Sequence, residues 1–201
     1  MRVKAKVSCE TFPCKDVDHS GYIVPGIDVN PSNISILMIS EASPSDPRDY
    51  YYARGSPLFE QTTVQAFNDA GARVASMKDI LVLGVYVTTA VKCSKKAYGI
   101  GLSTIDQCSK LLEEEIALFP KAKAFLLMGD VAIRAANAIA KRCGEPRVIP
   151  SGSTYKIRGG QFNFRGARAF PSYLQAGPSF FIEKSKRKMI SEDIAVALSL
   201  T

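Results

Sequence analysis

The sequence has no apolar run long enough to cross a membrane. Its longest, ILVLGVYVTTAV over 80–91, falls short of the roughly 20 residues that a spanning helix needs. The first ten residues, MRVKAKVSCE, are basic but carry no apolar signal core, so a cytoplasmic protein is expected. No internal repeat and no low-complexity linker interrupts the chain. That argues against a repeat array and for one domain over residues 1–201. Histidine is almost missing. His19 is the only one, and it lies far in sequence from the strand-end stretches singled out below.

What is present is ordinary globular material, 46% hydrophobic and 22% charged. The charge is uneven. Net charge is +7, and from Arg134 onward 12 Lys and Arg face only 4 Asp and Glu. A basic C-terminal third suits a polyanion, and it equally suits a solvated face.

Apolar runs at 34–39, 80–91 and 123–128 are short and rich in aliphatic residues, which predicts buried strands. Helical patterns alternate with them. SPLFEQTTVQAFNDAG stops at Gly71. STIDQCSKLLEEEIALFP opens on Thr104 and Gln107, a capping-box spacing, and aligns Ile105, Cys108, Leu112, Ile116 and Phe119. GDVAIRAANAIAKRCG ends at Gly144. The region 153–177 predicts a strand or hairpin and then a fourth core strand near 164–170. The tail predicts a final helix capped at Ser191, with Glu192 and Asp193 in its first turn. Strands alternating with helices imply an α/β fold whose ligands bind beyond the carboxyl ends of the strands. Glu41 stands there, where the run ISILMIS surfaces. Pro44, Asp46, Pro47, Asp49 and Tyr50–Tyr52 follow it, the tyrosines suited to base stacking or to packing.

Of five cysteines, Cys9 and Cys14 form a C-x4-C pair, and Cys93 and Cys108 a C-x14-C pair. Four thiolates converging on one point hold zinc or an iron–sulfur cluster. Cys108, on an apolar helix face, is alternatively a small core residue. Cys143 is expected to be unpaired.

Five stretches together resemble the uracil-DNA glycosylase superfamily, closest to its iron–sulfur class. They are ISEASPSD, RGSPLFEQTTVQAF, VYVTTAVKCSKK, the segment IDQCSKLLEEEIALFPKAKAFLLMGDVAIRA, and AFPSYLQAG. The likeness implies a three-layer α/β/α sandwich around a four-stranded parallel sheet. It implies a 4Fe-4S cluster, with zinc as the alternative, on Cys9, Cys14, Cys93 and Cys108. The C-x4-C pair departs from that class's usual C-x2-C.

The superfamily hydrolyses the bond between a damaged base and its sugar after flipping the base into a pocket. The resemblance carries over a water-orienting role to Glu41, with Asp46 as a second acid. It carries over base stacking to Phe59 and base contacts to Thr89 and Ser172. Thr89 stands where the family has an amide, and Phe170 where it has the His of His-Pro-Ser. Both changes predict weak or altered activity. DNA, single- or double-stranded, is expected to meet Lys92, Tyr173, Leu174, Lys186, Arg187 and Lys188, with the protein acting as a monomer. The alternative is a non-catalytic relative that binds nucleic acid or a nucleotide in the same pocket.

Overall fold

A computed structural model describes residues 1–201. Six strands form one mixed sheet: β1 (Val17–Asp18), β2 (Ile36–Ser43), β3 (Val85–Lys95), β4 (Ala124–Met128), β5 (Phe162–Phe164) and β6 (Ala167–Ser172). Their order is β1-β3-β2-β4-β6-β5. The four central strands run parallel, while β1 and β5 pair antiparallel at the two edges. The sheet is thus mixed and six-stranded, with the parallel strands at its centre and a short antiparallel strand added at each edge. Its edge strands are too short to show as apolar runs. β5 and β6 are joined by Arg165 and Gly166, both at positive φ, as a two-residue hairpin requires.

Seven helices accompany the sheet: α1 (Leu58–Asp69), α2 (Met77–Val82), α3 (Leu102–Ala117), α4 (Asp130–Arg142), α5 (Thr154–Ile157), α6 (Ser179–Ile182) and α7 (Lys184–Leu198). Strand alternation sorts the core into two halves. Leu37, Ile39 and Tyr86 pack with the apolar faces of α3 and α4. Ile36, Met38, Val85 and Val87 pack with those of α1, α2 and α7. Both faces of the sheet are thus covered, which is why its central strands are buried almost throughout rather than at alternate positions.

Several local expectations change. Residues 80–82 belong to α2, not to a strand, because Ser76 and Asp79 form a capping box that starts a helix at Met77. Gly84, at φ +82, then turns the chain into β3; a Cβ there would meet the Asn33 carbonyl oxygen at 2.9 Å. The box expected at Thr104 and Gln107 does not form. α3 starts at Leu102 instead, and Asp16 caps it from a distance, accepting from the Gly101 amide at 2.6 Å and from the Thr104 hydroxyl. The last helix begins at Lys184 rather than Ser191. Lys and Arg are good helix formers, so the basic run continues the helix instead of preceding it. Residues 154–157 form a helical turn, not a strand.

The three consecutive tyrosines pack. Tyr50 and Tyr51 are buried, and the Tyr51 hydroxyl donates to Ser40 Oγ at 2.7 Å. On its outer edge β3 pairs with β1 only through Ser94 and Lys95. Further along, Tyr52 Oη stands in for a missing strand: it accepts from Val87 N at 3.1 Å and donates to Val87 O at 3.0 Å. Unpaired strand edges are liabilities, and here one side chain serves both groups of a residue. Tyr52→Phe is expected to lower the unfolding free energy by about 1–3 kcal/mol. Urea titration monitored by circular dichroism would check this; an unchanged midpoint would mean that water replaces the hydroxyl without cost.

Candidate functional site

Four parallel strands end on the same side of the sheet, and chemistry gathers there. Glu41, within the last third of β2, pairs with Lys95 at the end of β3, Oε2 to Nζ 2.6 Å. The Glu41 side chain also lies against Gly129, the residue between β4 and α4. Gly129 has φ +97, and a Cβ there would meet Glu41 Oε1 at 2.7 Å. Glycine is thus required twice over, for the backbone turn and for the room. The carboxylate consequently rests at the first turn of a 13-residue helix, where the helix dipole favours a negative charge. From the end of β6, Ser172 O accepts from the Gly129 amide at 2.9 Å, tying that strand end to the same point.

A cleft of about 470 Å³ opens over this junction, lined by Glu41, Asp46, Phe59, Lys95 and Leu174 among others. Leu58 and Phe59 both line it, and the Phe59 ring leans on Tyr51 at 5.2 Å between centroids. Asp46 caps the short turn that follows it, accepting from the Arg48 amide at 2.9 Å and pairing with the Arg48 guanidinium. Those bonds hold its carboxyl below the usual range. Tyr173 and Leu174 are half-buried.

Other expected site residues lie elsewhere. Phe170 does not line the cleft. It sits within β6, 4% exposed, in the core under α7 and opposite Leu126 of β4. Thr89 is fully buried, and its hydroxyl has no hydrogen-bond partner. Ser172 is buried as well, donating to Asp193 Oδ2 at 2.5 Å. Asp193 does not serve a helix start. It lies on the inner face of α7, and burial lifts its pKa against the pull of Ser172 and Arg158.

The DNA-contact set also changes. Lys92 is wholly buried, and its ammonium is ion-paired with Glu115. It therefore reaches no surface and is withdrawn from that set. Arg187 is held by Asp69 at 2.5 and 2.8 Å. Lys186 pairs with Glu183 and lies 5.5 Å from the Tyr173 ring. Lys188 and Lys184 remain exposed.

The cysteines occupy a second place. Cys9, Cys14, Cys93 and Cys108 all line one cavity of about 490 Å³, together with Phe12, His19 and Tyr22. Two come from the N-terminal segment, one from β3 and one from α3. Burial raises the thiol pKa of Cys14 and Cys108 and pushes that of Cys93 up to about 12, and the neighbouring thiols add to each rise. The Lys92 amide points at Cys108 Sγ, 3.3 Å away. All five cysteines are free, and the side chains as they stand form no group of three or more His, Cys, Asp or Glu that could hold a metal ion. The donor set, four soft sulfurs around one cavity, suits zinc or iron–sulfur chemistry, although it is not closed to coordination distance. His19 belongs to this cavity, bonded to Cys14 O at 2.7 Å. Cys143 lies apart and exposed.

Sequence reasoning missed Lys95, Glu115 and Gly129. The first was readable from its place at a strand end. Glu115 was readable too, lying three residues after Leu112 on the inward helix face. Comparison with protein-family models and with curated proteins finds no match.

The pairing of Arg187 with Asp69 has a measurable sign. Hydrogen bonds from Arg187 lower the Asp69 pKa. A depressed carboxyl contributes stability above its unfolded pKa and loses it as pH falls through the folded value. Arg187→Ala is expected to return the Asp69 pKa toward about 3.9 in a carboxylate NMR titration. Its stability cost should be full at neutral pH and vanish in strong acid. A cost independent of pH would assign it to packing against Phe180, whose ring lies 5.2 Å from the guanidinium.

Proposed function

We propose that this chain is a uracil-DNA glycosylase-like protein, active in DNA repair, that binds DNA over the strand-end cleft and excises a damaged base slowly. The observation that carries the reading is the meeting of Glu41, Lys95, Phe59 and Leu174 at the carboxyl ends of parallel strands. The work divides accordingly. The Phe59 ring offers an apolar face for a base. The ionised Glu41 accepts a hydrogen bond from water and turns one lone pair of that water toward the sugar carbon. Lys95 holds the carboxylate in place and offers positive charge beside the leaving base. The resemblance to the glycosylase superfamily adds the reaction class. It also adds the expectation that the central parallel strands are the superfamily's four-stranded sheet; a cytoplasmic monomer is proposed alongside it.

A second reading, a non-catalytic binder of nucleic acid or a nucleotide, is favoured by one specific observation. Thr89 and Phe170 are both in the core, which leaves the cleft without the amide and imidazole that the superfamily uses on the base. Excision assays separate the two. Duplexes bearing uracil, hypoxanthine, xanthine or a thymine mismatch are incubated with the protein and cleaved with alkali. The expected result is slow release from at least one, reduced at least about tenfold by Glu41→Gln, about 1.4 kcal/mol on the barrier. Binding without any release would establish the second reading.

Surface lysines of α7 are proposed to add phosphate contacts. Because Lys186 and Arg187 are already paired within the protein, replacing Lys186, Arg187 and Lys188 with alanine is expected to flatten the slope of log K against log salt by about 1, not the full 3. An unchanged slope would place DNA on another face.

A 4Fe-4S cluster, or zinc in its place, is proposed on Cys9, Cys14, Cys93 and Cys108. Its contribution is structural, joining the N-terminal segment to β3 and α3. Anaerobically purified protein should be brown with about four irons per chain, and Cys143→Ser should leave that content unchanged. Colourless protein with stoichiometric zinc would replace the cluster with a zinc site.

A further inference from the structure

Lys92 and Glu115 form an ion pair with both side chains 0% exposed. Neither belongs to the cleft. Every polar atom of the pair is used. The Lys92 ammonium donates to Glu115 Oε2, to Thr88 Oγ1 at 2.9 Å and to Thr89 O at 2.5 Å, which exhausts its three protons. Glu115 Oε1 accepts from Tyr86 Oη at 2.5 Å and from Thr88 Oγ1 at 2.9 Å. An apolar pair of similar volume often gives equal or greater stability than a buried ion pair, because taking two charges out of water is costly. What the ion pair supplies that oil cannot is a single register between two elements.

Those elements are the ones that carry the two most buried thiols. Lys92 immediately precedes Cys93 on β3. Glu115 lies seven residues, two helical turns, beyond Cys108 on the same face of α3. Lys92 also reaches both ends of that stretch of helix, since its backbone amide donates to Cys108 Sγ at 3.3 Å while its side chain holds Glu115. We infer that Lys92 and Glu115 are positioning residues for the thiol cavity. They fix Cys93 and Cys108 at one separation for a soft, thiophilic centre. The inference rests on the reading of that cavity as a metal site.

The test uses full-length, metal-stripped, reduced protein in four forms: parent, Lys92→Met, Glu115→Gln, and the apolar pair Lys92→Met with Glu115→Leu. Each is titrated with cobalt(II), read by its thiolate charge-transfer absorbance, and with phenylarsine oxide, which needs two neighbouring thiols. Thermal unfolding is measured alongside. The single changes are expected to unfold earlier than the parent and the apolar pair to recover the parental midpoint. All three variants should bind cobalt and the arsenical at least about tenfold more weakly. Should a single change prevent folding, the apolar pair carries the test; should the apolar pair fail, Glu115→Gln, which keeps the side-chain shape, carries it. Recovery of both stability and binding in the apolar pair would reduce Lys92 and Glu115 to packing and overturn the inference. So would variants that bind as the parent does, and in that case the cavity reading would stand. A parent that captures neither probe would remove the thiol centre itself, and the inference with it.

Discussion

One buried carboxylate organises the middle of this molecule. Glu115 has no access to water, yet it draws a lysine, a tyrosine and a threonine of β3 onto α3. A charge in that position is tolerable only when its lone pairs are occupied, so each donor is needed by the others. The arrangement holds the longest strand of the sheet against the longest helix at one setting.

That setting reaches both chemical regions, because β3 passes through both. Lys92 is anchored in the core, Cys93 faces the thiol cavity, and Lys95 pairs with Glu41 beneath the cleft. Ser94 presses on Gly21, where a Cβ would collide with its Oγ, so the N-terminal segment that bears Cys9 and Cys14 is packed against the same few residues. Four consecutive positions thus join the core, the cysteines and the strand-end acid. The cleft in turn depends on close approach. Gly129 lets the Glu41 side chain lie against the start of α4, and its amide binds Ser172 O, so β2, β4 and β6 finish at one place.

Four buried side-chain polar atoms are left without partners, one of them Arg168 Nε near the start of β6. The others are Thr89 Oγ1, Gln175 Oε1 and Tyr50 Oη. By contrast, Tyr51 Oη donates to Ser40 Oγ, which in turn donates to Thr88 O. A folded chain rarely keeps several such groups, since each costs about 1–3 kcal/mol.

Much of the α/β order was legible from residues alone. Apolar runs bounded by glycine and proline located β2 and β4, and periodicity with glycine stops located α1 and α4, because those signals are local and follow from backbone geometry. The strand-end rule likewise brought Glu41 into view, and spacing singled out the cysteine pairs. Tertiary structure decided what depends on partners distant in sequence. Asp16 caps α3 across 85 residues, displacing the local capping spacing at Thr104. Lys92 reads as a surface base beside a strand end, and only the inward neighbour Glu115 makes it a core residue. Phe170 reads as a site residue at the end of the predicted strand 164–170, and only its pairing with Leu126 and its packing under α7 make it a core residue. Arg187 reads as free charge until Asp69 meets it from α1. In each case a side chain's intrinsic preference is worth less than about 1 kcal/mol, and a satisfied buried or paired group is worth more, so the partner settles the outcome.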